Sequence, residues 1–373
     1  MPAHTGFLGR NGLTIDPFIT FFSRTAMNPA LLLPLLLLAK FTKKGEELRI
    51  LHPTTFSRLG TLFCLGLIPY ISRKLSDGVT NNWADDKYDW PNEIAVVTGG
   101  ADGAGRHIVR LLAERGVKVV VLDIQPMTFE ADPNVTYFQC DVASAARVAE
   151  VAADIRARVG EPTILVNNAG VARGKTILGA SETDLKLTFD VNVFGHFNTV
   201  REFLPSMARR NHGMVVTVSS FSAWMVIPNL VDYSMTKAAV AAFHDGLSAE
   251  LKTRYNAPKV RTILVNQGFT NTPLLAGFKN DSPFLLPALE PESVADAICR
   301  QIFTGRSGHV VTPLFGRFFQ LIPALPHWYT YRSRAQSQDI MANWKGRQVV
   351  EDSDEYYSKR EKMSDIEGST VLC

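Results

Sequence analysis

Tyr233 and Lys237 stand four residues apart in the run YSMTKAAVAAFHDGLSAEL, whose spacing predicts a long helix. At i and i+4 a phenol and an ammonium share one helix face. A free phenol ionises near about 10, and an adjacent ammonium favours the phenolate. Such a phenol can take a proton from an alcohol, or give one to a carbonyl, while hydride moves elsewhere. Ser220 lies 13 residues before Tyr233 at the end of GMVVTVSS, where a hydroxyl could hold the substrate oxygen. Ser219 and Ser222 are expected to be bystanders, because strand alternation sends Ser219 to the other side. Asn192, in DVNVFGHF, is polar in an otherwise apolar helical stretch. It either holds a water that links Lys237 to solvent or bends and caps the helix locally.

A second set of residues suits a dinucleotide. The turn Thr98-Gly99-Gly100-Ala101-Asp102-Gly103-Ala104-Gly105 has the spacing TGxxxGxG and lies between an apolar run and a helical one. Gly99, Gly103 and Gly105 permit a tight turn that lets backbone approach a pyrophosphate, and the helix N-terminus beyond adds amide donors. Asp123 ends the next apolar run, 24 residues after Gly99. A carboxylate there can accept from both hydroxyls of an adenosine ribose and repels a 2′-phosphate. Asp102 adds to that repulsion, and no Arg or Lys replaces either acid. NAD is therefore expected over NADP, with Arg106 the one nearby cation acting the other way.

These groups need a scaffold. EIAVVTGG, VKVVVLD, VTYFQCDV, TILVNNAG, GMVVTVSS and VRTILVNQG are apolar throughout and alternate with helical segments. Continuous apolar strands interleaved with helices imply an α/β fold with a doubly wound parallel sheet, covered on both faces. The charge balance of 39 basic against 36 acidic residues, without a clustered basic run, gives no footprint for nucleic acid. Cys64, Cys140, Cys299 and Cys373 form no CxxC pair, and the histidines form no HExxH, so no metal site is expected.

The N-terminus differs in kind. PFITFFSRTAMNPALLLPLLLLA, residues 17–39, carries one charge and as a helix reaches about 35 Å, against ~30 Å of hydrocarbon. A second uncharged run, residues 59–72, is too short to span. One span and a monotopic hairpin of both runs are the two membrane readings; two core helices are the soluble alternative. Residues 1–75 are thus read as a membrane-associated region, 76–90 as a polar linker and 91–312 as the α/β catalytic domain. Residues 313–350 are an apolar, aromatic segment that either meets a membrane interface or lids the domain. Residues 351–373, with seven acids and three bases, read as a solvated acidic tail.

The joint order and spacing of TGGADGAG, Asp141-Val142, Asn167-Asn168-Ala169-Gly170, Asn192, Ser220 and Tyr233-xxx-Lys237 resemble the short-chain dehydrogenase/reductase superfamily. The resemblance implies a Rossmann fold and a catalytic tetrad of Asn192, Ser220, Tyr233 and Lys237. It also implies adenine-side contacts at Asp141 and Val142, Asn168 near the cofactor, and a nicotinamide ribose held by Tyr233 and Lys237. With the apolar termini, the layout resembles the membrane-associated retinol and 17β-hydroxysteroid dehydrogenase branch of the endoplasmic reticulum and lipid droplets. That implies a cytosol-facing catalytic domain and a homodimer.

Two departures stand out. Gln267-Gly268 replaces the family's Pro-Gly, leaving Gly268, Thr270 and Thr272 to meet the nicotinamide; Trp224 replaces a small residue and is expected to narrow or reshape the substrate cleft. The following loop, PLLAGFKNDSPFLLPALEP, is rich in Leu and Phe, which favours a lipophilic substrate. The expected activity is interconversion of an alcohol and its carbonyl on a retinoid, steroid or long-chain alcohol. The alternatives are an NADPH-linked ketone reductase of lipid biosynthesis and a non-catalytic protein of the lipid surface.

Overall fold

Four helices precede the first strand: α1 (Asp16–Arg24), α2 (Pro29–Phe41), α3 (Lys43–Leu51) and α4 (Pro53–Thr80). The structure, a computed structural model, describes residues 10–370; the first nine residues and the last three, Cys373 among them, lie outside the described residues. Asp16–Phe41 is long and apolar enough to cross a membrane. Asn28 divides it, because its side-chain oxygen accepts from the Ala30 amide and starts α2 afresh. The turn between α1 and α2 meets α4 closely at Gly66, where an added Cβ would lie 2.2 Å from the Met27 carbonyl oxygen. Leu31, Leu33, Leu35, Leu37 and Leu38 of α2 stay exposed. The second apolar run is thus the middle of the 28-residue α4, not a separate element.

The expected linker is not free chain. α4 runs through its first five residues, and the remainder is strapped to the domain. The buried Arg261 guanidinium donates to the carbonyls of Asn81 (3.1 Å) and Ala84 (2.5 Å). Tyr88 donates to the Gly213 carbonyl at 2.7 Å and stacks on Trp90.

The α/β domain follows in the order β1 (Ile94–Thr98), α5 (Gly103–Glu114), β2 (Lys118–Asp123), β3 (Val135–Gln139), α6 (Ala145–Arg158), β4 (Ile164–Asn167), α7 (Glu182–Phe189), α8 (Gly195–Arg210), β5 (Met214–Ser220), α9 (Val231–Thr253), β6 (Arg261–Gln267), α10 (Pro291–Ile302) and β7 (Gly308–Thr312). The sheet is parallel, in the order β3-β2-β1-β4-β5-β6-β7. Alternation explains its burial: Ala95 and Val97 pack with Ile108 of α5 and Ile298 of α10, while Ile94 and Val96 pack with Val151 of α6 and Met207 of α8. The chain reverses direction across the sheet between β1 and β4, so the cleft opens at their C-terminal ends.

Beyond β7 come a 3₁₀ stretch, Leu314–Ala324, then α11 (His327–Gln336) and α12 (Ser353–Thr370). The Asp16 carboxylate accepts from the amides of Leu314 (2.6 Å) and Phe315 (3.0 Å), tying α1 to this aromatic run. Phe318, Leu321, Leu325 and Trp328 are exposed. In the acidic tail Glu351, Asp352, Asp354, Glu355 and Glu361 are exposed, but the segment is helical and packs on the domain. α12 lies on α7, with Tyr357 donating to Asp190 at 2.8 Å and the Lys186 ammonium 4.0 Å from the Tyr357 ring centroid. The acid count obscured two tyrosines that give this helix a face to bury.

Candidate active site

The glycine turn sits at the C-terminal end of β1, at the reversal point. Gly99 and Gly103 have φ of +63° and +57°, which glycine adopts without strain. A Cβ at Gly105 would lie 2.0 Å from the Gly99 carbonyl oxygen, so that residue must be Gly for helix and turn to close up. A Cβ at Gly103 would meet only Thr272, at 3.7 Å, on the side of the groove. Asn168 braces the turn from β4, donating to the carbonyls of Thr98 and Gly99 at 3.0 Å each. Gly99, Asp102, Gly103, Asp123, Asp141, Val142 and Asn168 line one cavity together with Tyr233, Lys237 and Thr272. The glycine cradle, the acids at its far end and the phenol at its near end fit a dinucleotide.

At the far end Asp123 accepts from the amides of Ala101 and Gln125, both at 3.0 Å. Burial pushes its carboxyl pKa up, against those hydrogen bonds. Asp141 accepts from the Ala143 amide and from the Tyr356 hydroxyl of α12. Arg106, the expected counter-cation, instead covers the Phe129 ring and does not line the cavity. The cation that does is Arg347, bonded at 2.8 Å to both Asp102 and Gln125. Sequence reasoning missed it because 245 residues separate it from Asp102 and no pattern surrounds it.

At the near end Lys237 donates to the Val218 carbonyl at 3.0 Å and lies 5.4 Å from the Tyr233 ring centroid. Burial pushes the Tyr233 phenol up to about 12, with the Ser220 hydroxyl pulling it down. Burial also pulls Lys237 down to about 8. The expected lowering of the phenol by its neighbour is therefore outweighed by desolvation. Asn192 occupies a π-helical turn, Asp190–Phe194, between α7 and α8. Its amide donates to the Val171 carbonyl and Thr236 hydroxyl, and its oxygen accepts from the Val171 amide. Ser219 points away, donating to the Lys237 carbonyl at 2.8 Å.

Residues 93–282 match the family model of the short chain dehydrogenases. The chain belongs to that family. It is 41% identical over 216 residues to Dehydrogenase RED2 of Cochliobolus heterostrophus, covering 56% of this chain and 82% of that protein. It is 34% identical over 226 residues to 17-beta-hydroxysteroid dehydrogenase 13 of Mus musculus, covering 57% and 72%. A short-chain dehydrogenase structure from Streptomyces avermitilis superposes with a TM-score of 0.53 at 24% identity, over 65% of this chain and 98% of that one, a likeness of fold. As a short-chain dehydrogenase the chain is an oxidoreductase of CH–OH groups, in a family that uses NAD or NADP.

A second cavity adjoins the dinucleotide groove of this dehydrogenase. Its walls include Phe221, Ile227, Leu275, Leu286 and Phe319, and it shares Tyr233 and Gln267 with the groove. Ser220 and Gly268 belong to this second cavity, and Thr270 to neither: it is buried and donates to the Gly268 carbonyl. Trp224, expected to narrow or reshape the cleft, does not line it directly. It stacks beneath Phe221 and meets His309 edge-on, so Phe221 forms the wall. Ser222, expected to be a bystander, is among the residues lining this cavity, and its buried hydroxyl has no partner among the described residues. The same holds for the side-chain oxygen of Gln267. A buried polar atom left unpaired costs about 1–3 kcal/mol, which a hydrogen-bonding substrate group would relieve.

Proposed function

We propose that this dehydrogenase interconverts a lipophilic alcohol and its carbonyl, preferring NAD and accepting NADP, beside a membrane or lipid-droplet surface. The observation that carries the reading is the place of Tyr233, the one titratable side chain common to the polar groove and the apolar cavity. A bound nicotinamide supplies the hydride acceptor or donor. Tyr233 Oη accepts the alcohol proton in oxidation and returns it in carbonyl reduction. The Lys237 ammonium favours the phenolate, Ser220 orients the substrate oxygen, and Asn192 fixes the backbone beside Lys237. With the phenol near 12 and the ammonium near 8, oxidation gains from rising pH until Lys237 loses its charge.

Asp123 and Asp102 support the preference for NAD, since each unit charge at ~4 Å costs a phosphate about 4 kcal/mol at the effective dielectric of a protein surface. The apolar walls support a retinoid, steroid or long-chain alcohol, as does the word hydroxysteroid in one relative's name. The exposed Leu residues of α2 and the exposed aromatics of the 3₁₀ stretch support contact with a lipid surface, for which we propose the endoplasmic reticulum or a lipid droplet with the catalytic domain in the cytosol. The exposed Phe194, Phe197 and Met235 near α8 and α9 support a homodimer.

The test is the full chain in detergent, offered retinol, hydroxysteroids and fatty alcohols with NAD or NADP, with absorbance of the reduced nicotinamide as readout. Turnover of at least one class, faster with NAD, is expected. Absence of turnover with every alcohol and every matching carbonyl overturns the reading.

A further inference from the structure

The groove has a wall that no strand or helix of the dinucleotide-binding sheet supplies. Residues 340–351 leave α11, cross the mouth of the groove and enter α12. Trp344 donates to the Leu274 carbonyl at 3.0 Å. Arg173 then takes hold of three successive points: Gln348 Oε1 (2.7 Å), the Val350 carbonyl (2.6 Å) and the Glu351 carbonyl (3.1 Å). Arg173 is itself held by the fully buried Asp184, at 2.7 Å. Arg347 is thereby fixed over the adenosine-ribose end. Its Nη2 donates to Asp102 and to Gln125, and the Gln125 amide donates to Asp123. All four residues line the groove, and Nη1 and Nε of Arg347 have no bond to any described residue.

We propose that Arg347 is a specificity-determining residue for the dinucleotide: it is the strap-borne cation that admits a 2′-phosphate. Asp123 and Asp102 alone would make the ribose end purely anionic. A guanidinium already bridging Asp102 and Gln125 cancels one of those charges and offers two further donors in the planar fork that suits phosphate oxygens. NADP is then accepted through Arg347, and NAD through Asp123 without it. Half-exposed on its strap, Arg347 can shift toward a phosphate without disturbing the sheet. The proposal rests on the dinucleotide reading above.

The measurement is equilibrium binding of NADH and of NADPH, by nicotinamide fluorescence, to the full chain in detergent. The wild-type protein is compared with Arg347→Ala, Arg347→Lys and Asp102→Asn. The expected result is a ratio of NADPH to NADH dissociation constants that rises at least tenfold in Arg347→Ala. Lys should restore part of it, and Asp102→Asn should lower the ratio below wild type. An unchanged ratio in Arg347→Ala overturns the proposal, as does wild-type protein that binds NADH and no NADPH. Wild-type protein that binds neither overturns the dinucleotide reading itself. NADH binding in each variant shows that the groove has folded.

Discussion

The two sides of the groove are built on different principles. One side is Gly99, Asn168, Tyr233 and Lys237, each at a strand end or on a helix and each braced by backbone hydrogen bonds, with Ser220 in the adjoining cavity. The other side is Arg347, Val349, Val350 and Tyr356, carried by a strap and one terminal helix and pinned by side chains. Groups on regular elements hold geometry to the precision that proton transfer needs. Groups on a strap tolerate movement, which suits the admission and retention of a nucleotide. On the function proposed above, chemistry falls to the first side and cofactor choice and residence to the second.

The largest effect should fall on the chemical side. Tyr233→Phe keeps the ring that lines both cavities and removes the proton. Turnover should fall about 100-fold to 10,000-fold, the range for a general acid or base, while NADH still binds. Steady-state turnover together with NADH titration checks this. Turnover within threefold of wild type would break the division between the two sides. Next comes the anchor of the strap. Arg173→Met leaves Lys175, at 2.5 Å, as the remaining ion-pair partner of Asp184 among the described residues. Breaking a buried ion pair costs about 3–5 kcal/mol, and the remaining partner should hold the loss near the lower figure. Urea unfolding reads the stability, and stopped-flow NADH release should quicken in the same variant. A loss of stability with unchanged NADH release would separate the strap from the cofactor.

A smaller effect should mark the junction. Gln267→Leu removes an unpaired buried oxygen and should stabilise the free protein by about 1 kcal/mol. It should also raise KM for the alcohol more than it lowers kcat, because a positioning contact is lost. A destabilised variant with unchanged KM would mean that the oxygen already has a partner in the free protein.

The contrast between the two sides is also a contrast in legibility. β1, β2, β4, β5 and β6 are runs such as IAVVT and KVVVLD, buried on both faces, and such runs announce themselves. Tyr233 and Lys237 are legible because four residues make one helical turn. β7, GHVVT, was not read as a strand, being short, glycine-led and at the sheet edge. Arg347 and Tyr356 were illegible for a different reason. Their partners Asp102 and Asp141 lie more than 200 positions away, and only tertiary folding brings them together. At Trp224 the side-chain volume was legible, but its stacking behind Phe221 was not. Ser222 was beyond the reach of strand alternation, because β5 ends at Ser220 and the 3₁₀ turn Phe221–Ala223 places the next hydroxyl.

The smallest effect separates the two straps that hold the termini to the domain. The C-terminal strap hangs on Asp184. Burial works to raise its carboxyl pKa, but hydrogen bonds from Lys175, Ser181 and Arg173 hold it well below the usual range. A depressed carboxyl contributes stability above its unfolded value, about 3.9, and loses it only as pH falls through the folded value. The C-terminal latch is thus constant from pH 5 to 9, as these bounds of about one unit allow. The N-terminal strap hangs on His212, set between Asp86 (2.8 Å) and Glu93 (3.3 Å). The hydrogen bond to Glu93 raises the imidazole pKa against burial, while Glu93 is lowered by His212 and Thr163 against burial of its own. A raised imidazole contributes stability fully below about 6.5 and loses it as pH climbs through its folded value; the Glu93 share persists down to about 4.3. His212→Gln should therefore cost about 1 kcal/mol or less near pH 5.5, and the gap to wild type should close by about pH 9. Thermal unfolding of both proteins at the two pH values decides it. A gap that widens with pH would show that the imidazole is neutral in its strap, and that the two termini are held by latches of the same kind.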